Sequence, residues 1–214
     1  MSTRTPLSEE RIVAAAVDLA DDGGLEAVSM RSVAAELDAR AMSLYRHVDG
    51  KEALVAAMID AVLGEIDLAE AEADWRTAVG RIARSAYEVI VRHPWMAQVW
   101  LAVRPGIHRI QLMEALLGAF RRGGCSRRLS HHALHAVQNH VLGHAITKVT
   151  FDGAIEDLEE EGRRFLEGLD EEAHPYVAEH VVEHLEPSDG DDRSDFDFGL
   201  DLLLDGVERL RRSG

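Results

Sequence analysis

A chain of 214 residues has ample length for one large domain, or for a small domain joined to a larger one. Its composition is 46% hydrophobic but only 5% aromatic, and Ala, Leu, Val and Glu recur instead of β-branched runs, which favours helices and argues against a sheet protein. No run reaches the ~18 apolar residues of a membrane span and the first residues lack an apolar signal, so we expect a cytoplasmic protein without membrane partners.

The formal net charge of −16 at first argues against a nucleic-acid partner, because duplex DNA repels an acidic surface. The charge is unevenly distributed, however. Residues 29–51 include four basic and three acidic side chains, which gives this segment a net charge of +1 and leaves a net charge of −17 for the rest of the chain. Residues 156–172 hold nine acids and two arginines, and residues 186–197 hold six acids and one arginine. We interpret these acidic runs as solvated loops and helix faces.

The first predicted helix begins after Ser8, which can cap it, while Glu9 and Glu10 meet the positive end of the helix dipole. Leu7 can pack against Ile12 across this cap. The pair of glycines at positions 23 and 24 predicts the end of this helix.

A second start signal follows at Ser29, where the flanking Val28 can reach Val33 across the cap. A third short helix begins near Arg40, and helical spacing divides its residues between two faces. The inner face comprises Ala41, Leu44 and Val48, and the outer face comprises Arg40, Ser43 and His47. Two short helices separated by three or four residues and braced by a longer helix predict a helix-turn-helix, whose second helix enters the major groove.

The outward-facing side chains suit contacts with DNA. Arg40, Arg46, His47 and Lys51 can bond phosphates or guanine edges, and serine hydroxyls can bond phosphates or bases. Tyr45 can bond a phosphate or pack on a sugar or a thymine methyl. An ordinary three-helix surface would show a similar pattern of apolar and polar residues.

The amino-acid sequences of two segments are more specific evidence than the pattern of apolar and polar residues. The first is SMRSVAAEL at residues 29–37, and the second is SLYRHVDGKEAL at residues 43–54. Their Arg-x-x-Ala, Leu-Tyr-x-His and Lys-Glu-x-Leu elements resemble the DNA-binding region of the TetR family of repressors. The resemblance implies phosphate contacts from one group, Ser29, Arg31, Tyr45 and Lys51, and base contacts from a second, Arg40, Ala41, Met42, Ser43, Arg46 and His47.

Two positions depart from the family pattern. Asp38 stands in the turn where the family usually has glycine, and Asp tolerates left-handed backbone better than most other residues. Arg40 stands where Ser or Thr often opens the third helix, so a cap worth ~1 kcal/mol is lost while a cation facing DNA is gained. We therefore do not transfer base specificity from the family.

The remaining chain also reads as helices. Periodicity predicts one linking helix over residues 51–71 and another from Trp75 until just before Pro94. Further helices are predicted over residues 107–120, 129–149, 175–185 and 198–210, with breaks at residues 104–106 and 123–124. The expected fold is all-α with about nine or ten helices, divided into a DNA-binding head (residues 1–52) and a ligand-binding and dimerisation body (residues 53–214).

Four features of the body, Trp75, the Arg104–Pro105 pair, the glycine-rich turn and the motif FGLDLLLDG at residues 198–206, resemble the C-terminal domain of tetracycline-repressor-like members. This resemblance implies a homodimer formed by a four-helix bundle, with the helix near residues 129–149 and the last helix from each subunit. The apolar residues that such packing needs are Leu200, Leu203, Val207 and Leu210, although a monomer could bury the same stripe internally.

An unknown small-molecule inducer should bind inside the body, in an apolar cavity with a few polar groups. The composition nominates as its lining Tyr87, Trp95, Trp100, Arg104, His108, Met113, Phe120, His135, Gln138 and Asn139. Members that bind tetracycline have a metal-binding His four residues before the Arg-Pro pair, where this chain has Trp100. A magnesium–tetracycline complex is therefore not the expected inducer, and we expect no cofactor.

Other chemistries have weaker support in the sequence. The pairs His131/His135, His140/His144 and His180/His184 each share a helix face, but no Cys-x-x-Cys or His-Glu-x-x-His motif accompanies them. No hydrolase or nucleotide-binding motif is present, so no enzyme is expected. Cys125 cannot form an internal disulfide, and nearby arginines would favour its thiolate.

These observations predict a repressor that is released from a pseudo-palindromic operator by a small molecule. The alternative is a helical module that binds a small molecule or a metal and does not bind DNA.

Overall fold

The computed structural model describes residues 6–69, 74–100, 103–154, 158–185 and 194–213. Within these ranges the chain is helical and has no strand. The helices are α1 (Glu9–Ala27), α2 (Met30–Glu36), α3 (Ala41–Leu44), α4 (Lys51–Leu63), α5 (Trp75–Arg92), α6 (Met96–Val99), α7 (Ile107–Arg122), α8 (Arg127–Ala154), α9 (Leu158–Gly168), α10 (Pro175–Leu185) and α11 (Asp195–Ser213). The all-α prediction is confirmed, and the single-turn α6 brings the number of described helices to eleven. None of them is both long and apolar enough to cross a membrane.

The N-terminal helices begin where the sequence predicts, because their caps are local. The Ser8 side chain accepts a hydrogen bond from the Arg11 N–H at 3.4 Å, and Ser29 accepts one from the Ser32 N–H at 3.0 Å. The Ser32 hydroxyl in turn accepts from the Ser29 N–H at 2.8 Å, which completes a capping box. Gly24, with φ 70°, interrupts α1, but the helix resumes and ends at Ala27, beyond the glycine pair that was predicted to end it.

The linking helix α4 is shorter than predicted. It ends at Leu63 with Gly64 as its C-cap, whereas the periodicity suggested a helix to residue 71, and residues 70–73 lie outside the described residues. The chain turns after Gly64 and buries Ile66, and the Asp67 N–H then donates to the Ser85 hydroxyl of α5 at 2.9 Å. These contacts are tertiary, which is why the local pattern did not indicate them.

The acidic run at residues 156–172, interpreted as a loop or a solvated face, contains α9. Pairs four residues apart stabilise this helix: Arg163 lies 3.2 Å from Glu159, and Arg164 pairs with Glu160. Three of its acidic residues, at positions 159, 160 and 161, lie in the first turn, where the helix dipole favours negative charge. This part of the acidic run is therefore an exposed helix face, one of the two readings that the sequence allowed.

The core of the body lies between α5, α7, α8 and α11. Phe120 is completely buried at its centre, with its ring 6.0 Å from that of Trp75. Gly123 makes the approach of Trp75 possible, since a Cβ there would lie 2.4 Å from Trp75 Cγ. Arg84 of α5 pairs with Asp197 of α11 at 2.7 Å and thereby lowers the pKa of that carboxyl. The hairpin of α9 and α10 packs chiefly on itself, and no residue of α10 is fully buried.

Candidate functional site

The helices α2 and α3 meet across the turn that the sequence predicts. Their apolar sides are buried through Met30, Val33, Ala34 and Leu44. Asp38 adopts the left-handed conformation with φ 48°, so this turn is kept without glycine. Because α2 and α3 are separated by residues 37–40 and braced by α1, they form a helix-turn-helix.

The side of α3 that faces away from the core presents the predicted base-contacting residues. Met42 is 76% exposed, Arg40, Arg46 and His47 are exposed as well, and Ser43 is half-buried. Of the predicted phosphate contacts, Tyr45 is 48% exposed and Arg31 of α2 is exposed. Ala41 is half-buried, which fits the inner face predicted from helical spacing better than the base contact that the family resemblance implies. Arg40 takes the N-cap position of α3 and makes no side-chain cap bond, in agreement with the loss of the cap predicted from the sequence.

Two predicted phosphate contacts, and one predicted base contact, use groups that already have partners. The Ser29 hydroxyl serves the capping box, and the Ser43 hydroxyl donates to the Arg40 carbonyl at 2.5 Å. Lys51 Nζ donates to the Leu25 carbonyl of α1 at 3.4 Å, which fixes the start of α4 against the end of α1. An ammonium has three donors, so Lys51 retains two for a phosphate.

A cavity of about 920 Å³, here called the body cavity, lies between the C-terminal part of α8, the α9–α10 hairpin and the start of α11. Its apolar wall is aromatic: Tyr87, Phe151, Phe165 and Phe196 line it, and the Tyr87 and Phe196 rings stack at 4.5 Å. Its polar wall comprises Thr147, Lys148, Glu159, Glu161, His144, His180, His184, Ser194 and Asp195.

Two histidines, His140 and His144, form hydrogen bonds to backbone carbonyls on one side of the body cavity. His140 Nε2 donates to the Phe196 carbonyl at 2.8 Å, and burial lowers the pKa of His140. His144 Nδ1 donates to the His140 carbonyl at 3.1 Å. Neutral His144 therefore carries its free lone pair on Nε2 and can accept a hydrogen bond there.

A second cavity of about 880 Å³, here called the junction cavity, lies where α1 and α4 meet the start of α7. Asp60 of α4 forms one wall and accepts hydrogen bonds from the His108 N–H at 3.0 Å and the Arg109 N–H at 3.4 Å, so it caps α7. Gly106 makes room for this cap, because a Cβ there would lie 2.2 Å from Asp60 Cγ.

Known families match both parts of the chain. The family model described as bacterial regulatory proteins, tetR family, matches residues 12–58, and the one described as the tetracyclin repressor-like C-terminal domain matches residues 68–211. The chain belongs to the TetR family. The transcriptional repressor DrrR1 of Streptomyces coeruleorubidus is 34% identical and covers 95% of this chain and 78% of its own length.

Two other TetR-family relatives extend over almost the whole chain. The class G tetracycline repressor of Vibrio anguillarum is 29% identical, with coverage of 97% of this chain and 96% of that protein. The crystal structure of ActR from Streptomyces coelicolor in complex with actinorhodin has a TM-score of 0.81 and 25% identity, with coverage of 97% and 99%. The relatives named here are regulators of transcription, not enzymes.

The ligand residues nominated from the sequence of this TetR-family chain are not brought to one cavity. Tyr87 lines the body cavity, whereas Arg104 and His108 line the junction cavity. The other seven nominated residues line neither cavity. Trp95, Trp100 and Phe120 are buried in the core, Met113 and Gln138 are half-buried, and His135 and Asn139 are exposed on α8.

The two tryptophans have structural partners that explain their burial. Trp95 Nε1 donates to Asp21 of α1 at 2.7 Å. The Arg109 guanidinium lies 5.6 Å from the Trp100 ring centroid and donates to the Trp100 carbonyl at 2.9 Å. Composition indicated the aromatic character of the pocket, but Phe165 and Phe196, which line it, lie in the acidic runs that were interpreted as solvated loops and helix faces.

The histidine pairs are adjacent in space, with ring centroids 4.3 to 4.7 Å apart. No group of three or more metal-binding side chains forms within the ranges that the structure describes. Cys125 is buried, and this burial raises the pKa of its thiol. Arg121, one of the nearby arginines expected to favour the thiolate, does lower this pKa, as does Arg211, but the loss of hydration outweighs both charges.

Proposed function

We propose that this chain is a cytoplasmic transcriptional repressor that binds a pseudo-palindromic operator and releases it when a small molecule occupies the body. The observation that carries the proposal is the helix-turn-helix, whose exposed side presents Arg40, Met42, Tyr45 and Arg46 while its other side is buried. Membership of the TetR family supports it. We retain the division into a head (residues 1–52) and a body (residues 53–214), and we assign no catalytic role.

Selection from a random pool of duplex DNA tests DNA binding directly. We expect the purified chain to enrich an inverted repeat, with half-sites about one helical turn apart, and to bind it with a steep dependence on salt. Enrichment of no duplex at low salt would favour the alternative, a helical binding module without DNA contacts.

The proposed repressor is a homodimer. Exposed apolar side chains follow one side of α8 and α11: Ile146 on α8, and Phe198, Leu202 and Leu210 on α11. Nothing lies within 4 Å of a Cβ built at Gly143 or Gly206, so a partner helix could approach both helices closely. Of the stripe nominated from the sequence, Leu200 and Val207 are buried within this chain, Leu203 is half-buried, and Leu210 is 61% exposed.

We propose the body cavity as the inducer site. Its aromatic side chains offer flat faces to a planar ligand, while His144 and Lys148 offer hydrogen bonds and charge at the edge. ActR has been solved with actinorhodin and with (S)-DNPA, which supports a small-molecule ligand for this fold. Tyr87 is the one residue nominated from the sequence that we retain for this site.

Filling the body cavity should abolish the response to the inducer. Val181 of α10 lines the cavity, and Val181→Trp would occupy its space without touching the head. A panel of aromatic natural products, actinorhodin among them, is titrated onto the complex with the selected duplex. We expect the concentration of the active compound needed for release to rise at least about tenfold, while operator affinity stays unchanged.

The adjacent Val182, which is 46% exposed and does not line the cavity, provides the matched control. Val182→Trp should respond like the parent chain. If Val181→Trp also responded like the parent, the inducer would bind elsewhere.

A further inference from the structure

A buried histidine joins the head to the body. His93, at the C-cap of α5, is only 5% exposed, and Ser130 is the one other fully buried polar side chain among the described residues. A buried polar group is costly unless it is hydrogen-bonded, so its partners indicate what holds it in place.

The partners of His93 come from the head and from the segment after α4. Its Nδ1 lies 2.8 and 3.0 Å from the two carboxylate oxygens of Asp21, which belongs to α1. Its Nε2 lies 3.4 Å from Glu65 Oε2, and this oxygen also accepts a bond from Arg92 at 2.6 Å. The indole N–H of Trp95, which follows Pro94, also donates a hydrogen bond to Asp21 at 2.7 Å. The Asp21 carboxylate thus receives two donors from the turn between α5 and α6.

This connection is separate from the covalent one. The head continues into the body through α4, whereas Asp21 ties the far end of α1 to the end of α5. The junction cavity adjoins the cluster, because Asp21, Glu65 and His93 all line it. Beside this cavity, the bonds to Asp21 therefore join the head to the body in addition to the apolar packing of α1 on α4.

The helix α5 extends from the body cavity to this cluster. Tyr87, which lines the body cavity, precedes His93 by six residues, a distance of about 9 Å along a helix. A helix is stiff over so short a length. If a ligand displaced Tyr87, α5 would pass that displacement on to His93 at its C-cap, and so to the bond between His93 and Asp21.

We propose that the cluster of Asp21, His93 and Trp95 couples the body to the position of the head, with Asp21 as a positioning residue for the DNA-binding helices. The proposal rests on the proposed repressor function and adds the route by which body and head communicate. Coupling between two sites is reciprocal, so operator binding must also affect the body.

Amide hydrogen exchange of the full chain, with and without the selected duplex, tests this route. In the parent chain we expect the duplex to change exchange in residues 82–92 of α5 by at least about threefold. Two variants weaken the cluster: Asp21→Asn, and Trp95→Phe, which keeps an aromatic ring but removes the N–H. In both, the change in α5 exchange on duplex binding should shrink to less than about half of the parent's, while the duplex still protects α2 and α3.

Asp18→Asn is the matched control, since Asp18 is one turn earlier on α1 and also lines the junction cavity. It should keep the parent's response in α5. Protection of α2 and α3 shows that each variant folds and binds DNA, so a purely structural defect is distinguishable. An unchanged response of α5 in Asp21→Asn, or no response in a parent chain that binds the duplex, would overturn the coupling. A parent chain that binds no duplex would instead contradict the proposed function.

Discussion

Leu202→Glu should convert the dimer into monomers and lower operator affinity by at least about 100-fold. Leu202 is 57% exposed near the middle of α11, on the side that we assign to the partner subunit. A glutamate on this face would lose hydration in the interface, and two-fold symmetry places one on each subunit. A monomer retains only one recognition helix and loses the gain in affinity from two linked half-sites.

Sedimentation and gel-shift titration measure these two effects. Ile110→Glu serves as the control, because Ile110 is similarly exposed, at 54%, but belongs to α7. The control should sediment and bind DNA like the parent. A Leu202→Glu variant that stays dimeric would show that the interface lies on another face.

Arg40→Ala should weaken binding to the preferred operator by about 1–3 kcal/mol and relax the preference at one base position of each half-site. The side chain is exposed at the start of α3 and makes no cap bond, so its loss should leave the head folded. Competition with single-base variants of the selected duplex reports both changes.

Arg31→Ala gives the contrasting result. Arg31 is exposed at the start of α2, where we expect it to contact phosphate, so its loss should weaken binding to all duplexes about equally and reduce the salt dependence. If Arg40→Ala also weakened all duplexes equally, Arg40 would contact the backbone and not a base.

The head was predictable because its signals are local. Ser8 and Ser29 cap the helices that they precede, and Asp38 takes the left-handed conformation that its side chain tolerates. Each of these depends on neighbours within four residues. The bond from Lys51 to Leu25 could not be read in this way, since the two residues are separated by 26 positions.

The body was predictable in its helices but not in its cavities. Periodicity distinguishes the buried side of α5 or α8 from the exposed side, yet it does not indicate which buried aromatic residue borders empty space. Trp95 and Phe165 illustrate the difference. Trp95 was nominated for the pocket and instead bonds to Asp21, whereas Phe165 lies in an acidic run and lines the body cavity. Both outcomes depend on how distant helices pack together.

The acidic surface of α9 has a kinetic consequence for the search along the chromosome. Its glutamates outnumber the two arginines that pair with them, so a duplex is disfavoured on this side of the body and an approach that begins at the head is favoured. Contacts with unrelated DNA depend on the few exposed basic side chains of the head and should therefore be brief. A protein that leaves wrong sequences quickly inspects more of them per unit time, and a low residence time elsewhere sharpens occupancy of the correct operator.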